Sequence, residues 1–297
     1  MHVPDGFLAT PVWAGLDLAA AASVGYVVRQ TQRGFDEARV PLLGVMGAFV
    51  FAAQMINFPV GVGTTGHLVG GALLAFTLGP AAASVVMTAI LTIQALVFQD
   101  GGVLALGANV VNMAMLGVLA GYLPFHFWGA GPQRRLAIFL GGTFSVLVSA
   151  LAALTELLLS GVRMPGSVLG ISIGLFTVSA VLEGAITVSV VQAIERIQPG
   201  YVKMPAPGRS FALGAVGLAA VLLATVGTLV ASTQPDGLER LAEQLGISSR
   251  ETVLLAAPLA DYTAPWFGKA GAGIAGLVLI FAACLFLGRV VLKRRSI

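Results

Sequence analysis

The sequence predicts an all-α polytopic membrane protein with about nine transmembrane helices. Hydrophobic residues make up 57% of the 297 positions and charged residues only 10%. A soluble domain carries about 25% charged residues, so this chain has too few charges to cover a globular surface of its size in water. Many of its 38 glycines lie within apolar stretches, which is typical of membrane helices that pack closely.

Nine apolar segments account for most of the chain, and each is a candidate for one membrane crossing. A helix needs about 20 apolar residues to span a bilayer. The third segment is shorter than this and meets the fourth at Gly79 and Pro80, so a tight hairpin and a partly re-entrant pair both remain open. The segments are residues 7–28, 40–57, 66–79, 81–98, 103–125, 136–160, 168–194, 211–231 and 270–291. The polar loop between the last two segments is predicted to contain a short amphipathic helix at 237–245.

The distribution of positive charge predicts the orientation of these spans. Loops on the inner side of a membrane carry an excess of Lys and Arg. With the N-terminus outside and the C-terminus inside, twelve of the 16 Lys and Arg residues lie inside. Only Arg163, Arg240, Arg250 and Lys269 then lie outside. Removing one span would put strongly basic loops on both sides, so nine spans fit the charges well.

The first two residues predict a metal-binding chain end. The start lacks the positive region of a secretory signal peptide, and a bulky second residue disfavours removal of the initiator methionine. We therefore expect Met1 to keep a free α-amine. This amine, the main-chain amide of His2 and the His2 imidazole can close two fused chelate rings on one ion. Planar nitrogen donors suit Ni(II) or Cu(II), and the amine must lose its proton to bind.

A fourth nitrogen is expected from His67. Of the three histidines, His126 falls at the inner end of the fifth segment, whereas His67 follows the second segment on the same outer side as Met1. Glycines around His67 allow the main chain to fold closely around an ion. On the residues alone, the alternative that His2 and His67 are merely hydrogen-bonded membrane residues stays open.

Three polar residues near this predicted site are candidates for a supporting role. Gln54 and Asn57 precede the His67 loop and are expected to orient the histidines, as partners of metal ligands usually do. Hydrogen bonding between helices explains these two residues equally well. Asp5 follows the chain end and is expected, on weaker grounds, to tune the charge of the site.

Three stretches of the sequence resemble one known family. They are MHVPDGFL at 1–8, QMINFPVGVGTTGHLVGG at 54–71 and PDGLE at 235–239. They look like the nickel/cobalt substrate-capture subunits (CbiM/NikM family) of energy-coupling-factor (ECF) transporters, fused to the PDGLE-type accessory subunit (CbiN/NikN-like). The first eight residues and the glycine–histidine loop are long enough to be specific.

This resemblance implies a division of the chain and a set of ligands. Residues 1–204 would form a seven-helix metal-capture bundle, and residues 205–297 an accessory domain in which two helices flank an extracytoplasmic loop at 232–269. The metal ligands in the family correspond to the amine of Met1, the amide and imidazole of His2, and His67. The family also implies a bacterial or archaeal inner membrane, a transmembrane coupling (T) subunit and two cytoplasmic ATPase subunits as partners.

The sequence therefore predicts a non-enzymatic component for uptake of Ni(II) or Co(II). A phosphate-binding P-loop and an HExxH motif are both absent, so ATP hydrolysis is expected in partner chains, and no cofactor is expected. Nickel is favoured over cobalt because a planar site with an amide nitrogen suits it better, although the family accepts both.

The alternative function is a stand-alone secondary transporter or channel for another cation. Acids within spans are costly unless they are paired or hydrated, and in that case they would relay protons. The acids within the predicted spans are Asp17, Glu156 and Glu183.

Overall fold

The computed structural model describes residues 1–34, 36, 39–61, 63–202, 211–265 and 268–293. Seven helices in these ranges are long and apolar enough to cross a membrane, and the prediction of an all-α polytopic membrane protein is confirmed. The elements in chain order are α1 (Thr10–Gly34), α2 (Val40–Gln54), β1 (Phe58–Gly61), β2 (Thr64–Gly66), α3 (Gly71–Leu78), α4 (Pro80–Phe98), α5 (Leu106–Trp128), α6 (Arg134–Leu159), α7 (Gly166–Ile197), α8 (Phe211–Val230), α9 (Gly237–Leu245) and α10 (Gly268–Lys293).

The second and third apolar segments differ from ordinary spans. Helix α2 has 15 residues and α3 only 8. At 1.5 Å per residue, α3 is about 12 Å long, well short of the roughly 30 Å hydrocarbon core. The missing length is taken up by the antiparallel β1–β2 hairpin and the non-helical stretch 67–70. β2 and residues 68–70 are buried in the protein, whereas Pro59 and Gly61 of β1 are exposed.

The chain nevertheless returns to the end of the bundle where α2 begins. The Arg39 guanidinium, directly before α2, donates to the Thr77 carbonyl near the end of α3 at 2.9 Å. A tight turn follows, in which Gly79 has a φ of 82° and Pro80 opens α4. Only glycine adopts such a φ without cost, and proline suits the first position of a helix. The junction between α3 and α4 is therefore a tight turn.

The last described helix packs directly on the second one. A Cβ atom added to Gly276 of α10 would lie 2.2 Å from ring atoms of Phe51 in α2, and one added to Gly44 would lie 2.7 Å from the Phe281 ring. These glycines let the two helices approach closely enough for the rings to fill the gap. The 211–293 part is therefore packed against the first 202 residues. The predicted division at 204/205 lies outside the described residues.

The short amphipathic helix predicted at 237–245 is confirmed as α9. Asp236 is its N-cap, and Asp236 and Glu239 form a reciprocal capping box. Such a box satisfies main-chain donors that the first turn of a helix otherwise leaves unpaired. Leu238, Leu241 and Ala242 are buried, so α9 lies with its apolar face on the bundle. In this position the PDG turn before α9 (residues 235–237) lies beside β2 and the loop at 67–70 that follows it, which we call the His67 loop.

Candidate metal centre

The chain end lies inside the bundle, held by hydrogen bonds to its main chain. Val3 is completely buried. The side-chain amide of Asn109 accepts from the Val3 amide at 2.8 Å and donates to the Val3 carbonyl at 3.0 Å. The Gly102 amide donates to the same carbonyl at 2.9 Å. The residue after His2 is thereby fixed in place.

Asp5 anchors this segment a second time. Its carboxylate accepts from the amides of Val103, Leu104 and Ala105 at 2.8–3.1 Å, immediately before α5. A carboxylate at this position also interacts favourably with the helix dipole. Asp5 therefore caps the start of α5, and its predicted effect on the charge of the site stays a prediction.

Three predicted ligands meet at the chain end. The Met1 amine lies 2.9 Å from Nε2 of His67. The rings of His2 and His67 are stacked, with centroids 5.6 Å apart and planes within 4° of each other. All three residues are largely or fully shielded from solvent. Residues that lie 66 positions apart in sequence thus form one nitrogen-rich cluster.

The imidazole of His67 is held in a state that suits metal binding. Its Nδ1 lies 3.0 Å from the Leu68 carbonyl. This contact requires the proton on Nδ1, so Nε2 keeps a lone pair directed at the Met1 amine. Burial, the Met1 ammonium and His2 lower the pKa of His67 to about 4. The ring is therefore neutral at pH 7.

The imidazole of His2 is engaged differently from the expected chelate. Its Nδ1 lies 2.7 Å from a carboxylate oxygen of Asp100, whereas its Nε2 is buried without a hydrogen-bond partner. A chelate ring that contains both the His2 amide and the imidazole has to use Nδ1, because that ring has six members. Nδ1 must therefore exchange Asp100 for the metal ion before the ring closes.

Asp100 belongs to a hydrogen-bonded chain that reaches the 211–293 part. The Tyr262 hydroxyl donates to Asp100, and Gln94 donates to the Tyr262 hydroxyl at 3.2 Å. Burial raises the pKa of Asp100, but the charge and hydrogen bond of His2, together with the hydroxyl of Tyr262, bring the net pKa well below its usual value. Asp100 is thus a carboxylate that orients His2.

Gln54 continues this chain to the His67 loop. Gln94 donates to the Gln54 side-chain oxygen at 2.8 Å, and the Gln54 amide donates to the Val69 carbonyl at 2.8 Å. Gln54 therefore connects the His67 loop, through Gln94 and Tyr262, to Asp100, the carboxylate that contacts His2. Asn57, the other predicted supporting residue, lies farther out and accepts from the Ser232 amide through its main-chain oxygen at 2.9 Å.

A second carboxylate from the 211–293 part contacts the chain end directly. Asp236 forms an ion pair with the Met1 ammonium. Burial raises the pKa of Asp236, but the nearby Met1 ammonium and His67 outweigh burial and lower it to about 2. The buried ammonium thus has an anionic partner at neutral pH.

A cavity of about 310 Å³ opens next to this cluster. His67, Asn57 and residues 231–236 are among the residues that line it. Four acids and one lysine also line it, which makes its charge predominantly negative. These are Asp100, Asp236, Glu239, Asp261 and Lys269.

Other candidate residues lie apart from this cluster. His126 lines a separate cavity together with Arg39 and Thr77. Among the three acids in predicted spans, Asp17 accepts from the Gly107 amide and Glu156 from the Asn112 side chain. Glu183, in contrast, contacts the His67 loop: its two oxygens accept from the amides of Val69 and Gly70 at 2.8 Å. Glu183 therefore holds the loop that carries His67.

Sequence reasoning missed Asp100 and did not assign Asp236 or Tyr262 to this site. Asp236 had a local signal, because D-x-x-E is a capping-box pattern at the start of a helix. Asp100 lies two residues after an apolar segment and precedes two glycines, which is a place where polar residues usually end a helix. In the described part of the chain, no three His, Cys, Asp or Glu side chains are grouped to hold a metal ion.

Comparison with known proteins decides the family. Residues 2–201 match the family described as the cobalt uptake substrate-specific transmembrane region, CbiM, and residues 210–293 match the PDGLE domain. The chain belongs to the CbiM family. As a CbiM-family protein with a PDGLE domain, it is a membrane component of nickel or cobalt transport.

Individual relatives agree with this membership. A protein of Archaeoglobus fulgidus, named as a fused nickel transport protein of the NikMN type, is 35% identical over 294 residues, which covers 95% of this chain and 96% of the relative. The fused nickel transport protein NikMN of Rhodobacter capsulatus is 37% identical, over 55% of this chain and 48% of its own length. A solved structure described as a truncated transition metal transporter is 33% identical, covers 66% of this chain and 99% of its own, and has a TM-score of 0.59.

The contact between Glu183 and the His67 loop leads to a first prediction. We expect Glu183→Gln to lower the free energy of unfolding by about 1–3 kcal/mol, because glutamine offers one acceptor where two buried amides need one each. Amide hydrogen exchange at residues 67–71 is expected to accelerate. Denaturant unfolding in detergent and exchange mass spectrometry measure the two effects.

Glu156→Gln is the matched control for this prediction. It makes the same chemical change at a buried carboxyl in a neighbouring helix, but glutamine keeps the one acceptor that Asn112 uses. It is expected to leave exchange at 67–71 unchanged. Equal exchange rates in this loop for the wild type and Glu183→Gln would contradict the assigned role of Glu183.

Proposed function

We propose that this chain is the substrate-specific component of an ATP-driven ECF uptake transporter for Ni(II) or Co(II). The observation that carries the proposal is the buried meeting of the Met1 amine, His2 and Nε2 of His67. Two imidazoles and a chain-end amine at one point are a donor set suited to late divalent transition metals. Membership of the CbiM family supports the same function.

In this proposal four nitrogens bind the ion. The Met1 amine and the His2 amide close a five-membered ring, and the His2 amide and Nδ1 close a six-membered ring. Nε2 of His67 fills the fourth position. Metal binding displaces the protons of the amine and amide, and Nδ1 of His2 leaves Asp100. Gln54 and Asn57 are proposed to support the two histidines from outside the ligand set, and Asp5 to keep the chain end in place.

The metal ion reaches these ligands from the outer side through the acidic cavity. A cavity of about 310 Å³ holds a hydrated divalent ion with room to spare, because a water molecule takes about 30 Å³. A surplus of carboxylates in a cleft raises the local concentration of cations. Asp236 and Asp100 line this cavity and pair with Met1 and His2, so the route is anionic where it meets the chain end.

The partners proposed for this chain are a transmembrane coupling subunit and two cytoplasmic ATPases. The sequence has no P-loop for ATP, and ATP hydrolysis is assigned to these partners. Inward release of the metal then requires the four nitrogen bonds to break. Movement of the His67 loop, which Glu183 and Gln54 hold, is the proposed step that breaks them.

A stand-alone secondary transporter is less well supported. Such a protein needs ionisable groups arranged along a route for protons. Asp17, Glu156 and Glu183 instead each bond to a different local partner, two of them to main-chain amides that position the chain. Their contacts therefore favour structural roles over a proton relay.

Metal analysis of the purified protein tests the proposed function. We expect the wild type to bind one equivalent of Ni(II) in a titration, and His2→Gln to bind at least ~100-fold more weakly, more than the usual loss for a residue outside the ligand set. Glutamine is chosen because a bulky second residue keeps Met1, whereas alanine invites its removal. A wild type that binds neither Ni(II) nor Co(II), or a His2→Gln protein that binds as the wild type does, would exclude the proposal.

A further inference from the structure

The contact between Asp236 and the chain end indicates a role for the 211–293 part in the candidate metal site. We propose that Asp236 is a positioning residue, whose carboxylate holds the Met1 amine against His67 before a metal ion arrives. The 211–293 part then completes the capture site of the first 202 residues. This inference rests on the proposed function for its meaning in transport, although the contact itself can be tested without metal.

The two oxygens of Asp236 have separate partners. Oδ1 accepts from the amides of Leu238 and Glu239 at 2.7 and 2.9 Å, and so caps α9. Oδ2 contacts the Met1 amine. Because the cap fixes the side chain, Oδ2 is directed at the amine by the helix and needs no further ordering when the chain end arrives.

The position of Asp236 relative to His67 is fixed by the turn before it. The Thr65 amide donates to the Pro235 carbonyl at 2.9 Å, and the Thr65 hydroxyl donates to the Gln234 carbonyl at 3.0 Å. Thr65 lies two residues before His67 on β2. The PDG turn is thus attached to the strand that leads into the histidine loop, and the carboxylate and the imidazole approach the amine from one rigid unit.

A buried ammonium group strongly requires an anion. Removing such a charge from water is strongly unfavourable unless it is paired and hydrogen-bonded. Among the described residues, Asp236 is the carboxylate that pairs with Met1, while Asp100 pairs with His2. Without Asp236, the free energy of the chain end would fall if the ammonium group left the site for water. With Asp236 present, the amine lies 2.9 Å from Nε2 of His67.

Asp236→Asn separates the charge of this residue from its structural role. Asparagine caps helices about as well as aspartate, so α9 is expected to persist while the anion is lost. Asp236→Ser, another good cap without charge, is the second variant. Glu243→Gln is the matched control, because it removes one negative charge from the same helix at an exposed residue that pairs only with Arg240 in the described contacts.

The first measurement uses full-length, metal-free protein in detergent. An amine-reactive ester labels the Met1 amine, and peptide mass spectrometry follows the rate. We expect several-fold faster labelling in Asp236→Asn and Asp236→Ser than in the wild type and Glu243→Gln, because the amine spends more time away from the site. Equal rates in all four proteins would overturn the proposal, whatever the metal affinity.

The second measurement is a Ni(II) titration of the same proteins. Both Asp236 variants are expected to bind 10–100-fold more weakly, the range usual for residues that orient metal ligands, and Glu243→Gln to match the wild type. Faster labelling with unchanged Ni(II) affinity would overturn the role of Asp236 in capture. A wild type that binds no metal would exclude the proposed function, whereas the labelling rates would still decide whether Asp236 positions the amine.

Discussion

A chain with one extra residue before Met1 is expected to lose Ni(II) binding by more than ~100-fold, beyond the range seen for residues outside the ligand set. The extension converts the α-amine into an amide and moves the free amine at least one residue away. Val3 is completely buried and hydrogen-bonded on both its main-chain groups, so the segment cannot slide back to compensate. The Asp236 contact with the amine is lost as well.

The experiment is best done on a single preparation. A protease site placed before Met1 keeps the extension until the enzyme is added, and cleavage then regenerates the native amine. Ni(II) titration before and after cleavage compares two proteins that differ only at the chain end. Thermal unfolding of the extended form is expected to show a folded protein, because the extension leaves the buried residues of the chain end, Val3, Phe7 and Leu8, unchanged. Strong Ni(II) binding before cleavage would rule out the amine as a ligand.

His67→Ala is expected to have an effect of similar size on Ni(II) affinity. Its Nε2 lies 2.9 Å from the Met1 amine and carries the lone pair, because Nδ1 is engaged by the Leu68 carbonyl. Alanine removes this donor and leaves three nitrogens from residues 1 and 2. Since a planar site needs four donors, water must take the fourth position. We expect a loss of more than ~100-fold, compared with the smaller loss typical of supporting residues.

His126→Ala is the matched control. It removes an imidazole from the same chain, but His126 is exposed and lines a different cavity. It is expected to leave Ni(II) affinity unchanged. Thermal unfolding of both variants separates a lost ligand from a lost fold. If His126→Ala weakened Ni(II) binding as much as His67→Ala, the assignment of the site to the outer cluster would be wrong.

Much of the architecture was accessible from the sequence because it depends on composition and pattern. A low content of charged residues excludes a soluble fold whatever the tertiary arrangement, and the amphipathic pattern at 237–245 predicts α9. The structure of the third apolar segment, 66–79, is harder to predict from the sequence. Its 8 helical residues look like part of a span, because a short buried helix and a membrane helix are equally apolar.

The donors of the proposed site were also accessible from the sequence. Met1 and His2 adjoin one another, and the glycine–histidine loop marks His67, so the chemistry of these residues indicates their use before any fold is known. Their metal-binding roles stay predictions until binding is measured. Asp100 and Tyr262, which hold His2, were not accessible in this way, because single Asp and Tyr residues are common in loops. Asp236 had a local signal as a helix cap, but that signal did not connect it to the Met1 amine.

By itself, the sequence determined the class of the protein, since burying so many apolar residues requires a membrane, and it marked the nitrogen donors. Only the tertiary structure decided which groups surround them. Asp236 reaches the Met1 amine across 235 positions and Tyr262 reaches Asp100 across 162. Such contacts depend on how α10 packs against α2 and how the PDG turn attaches to β2, and the free energy of that packing is shared among many residues that no local pattern connects.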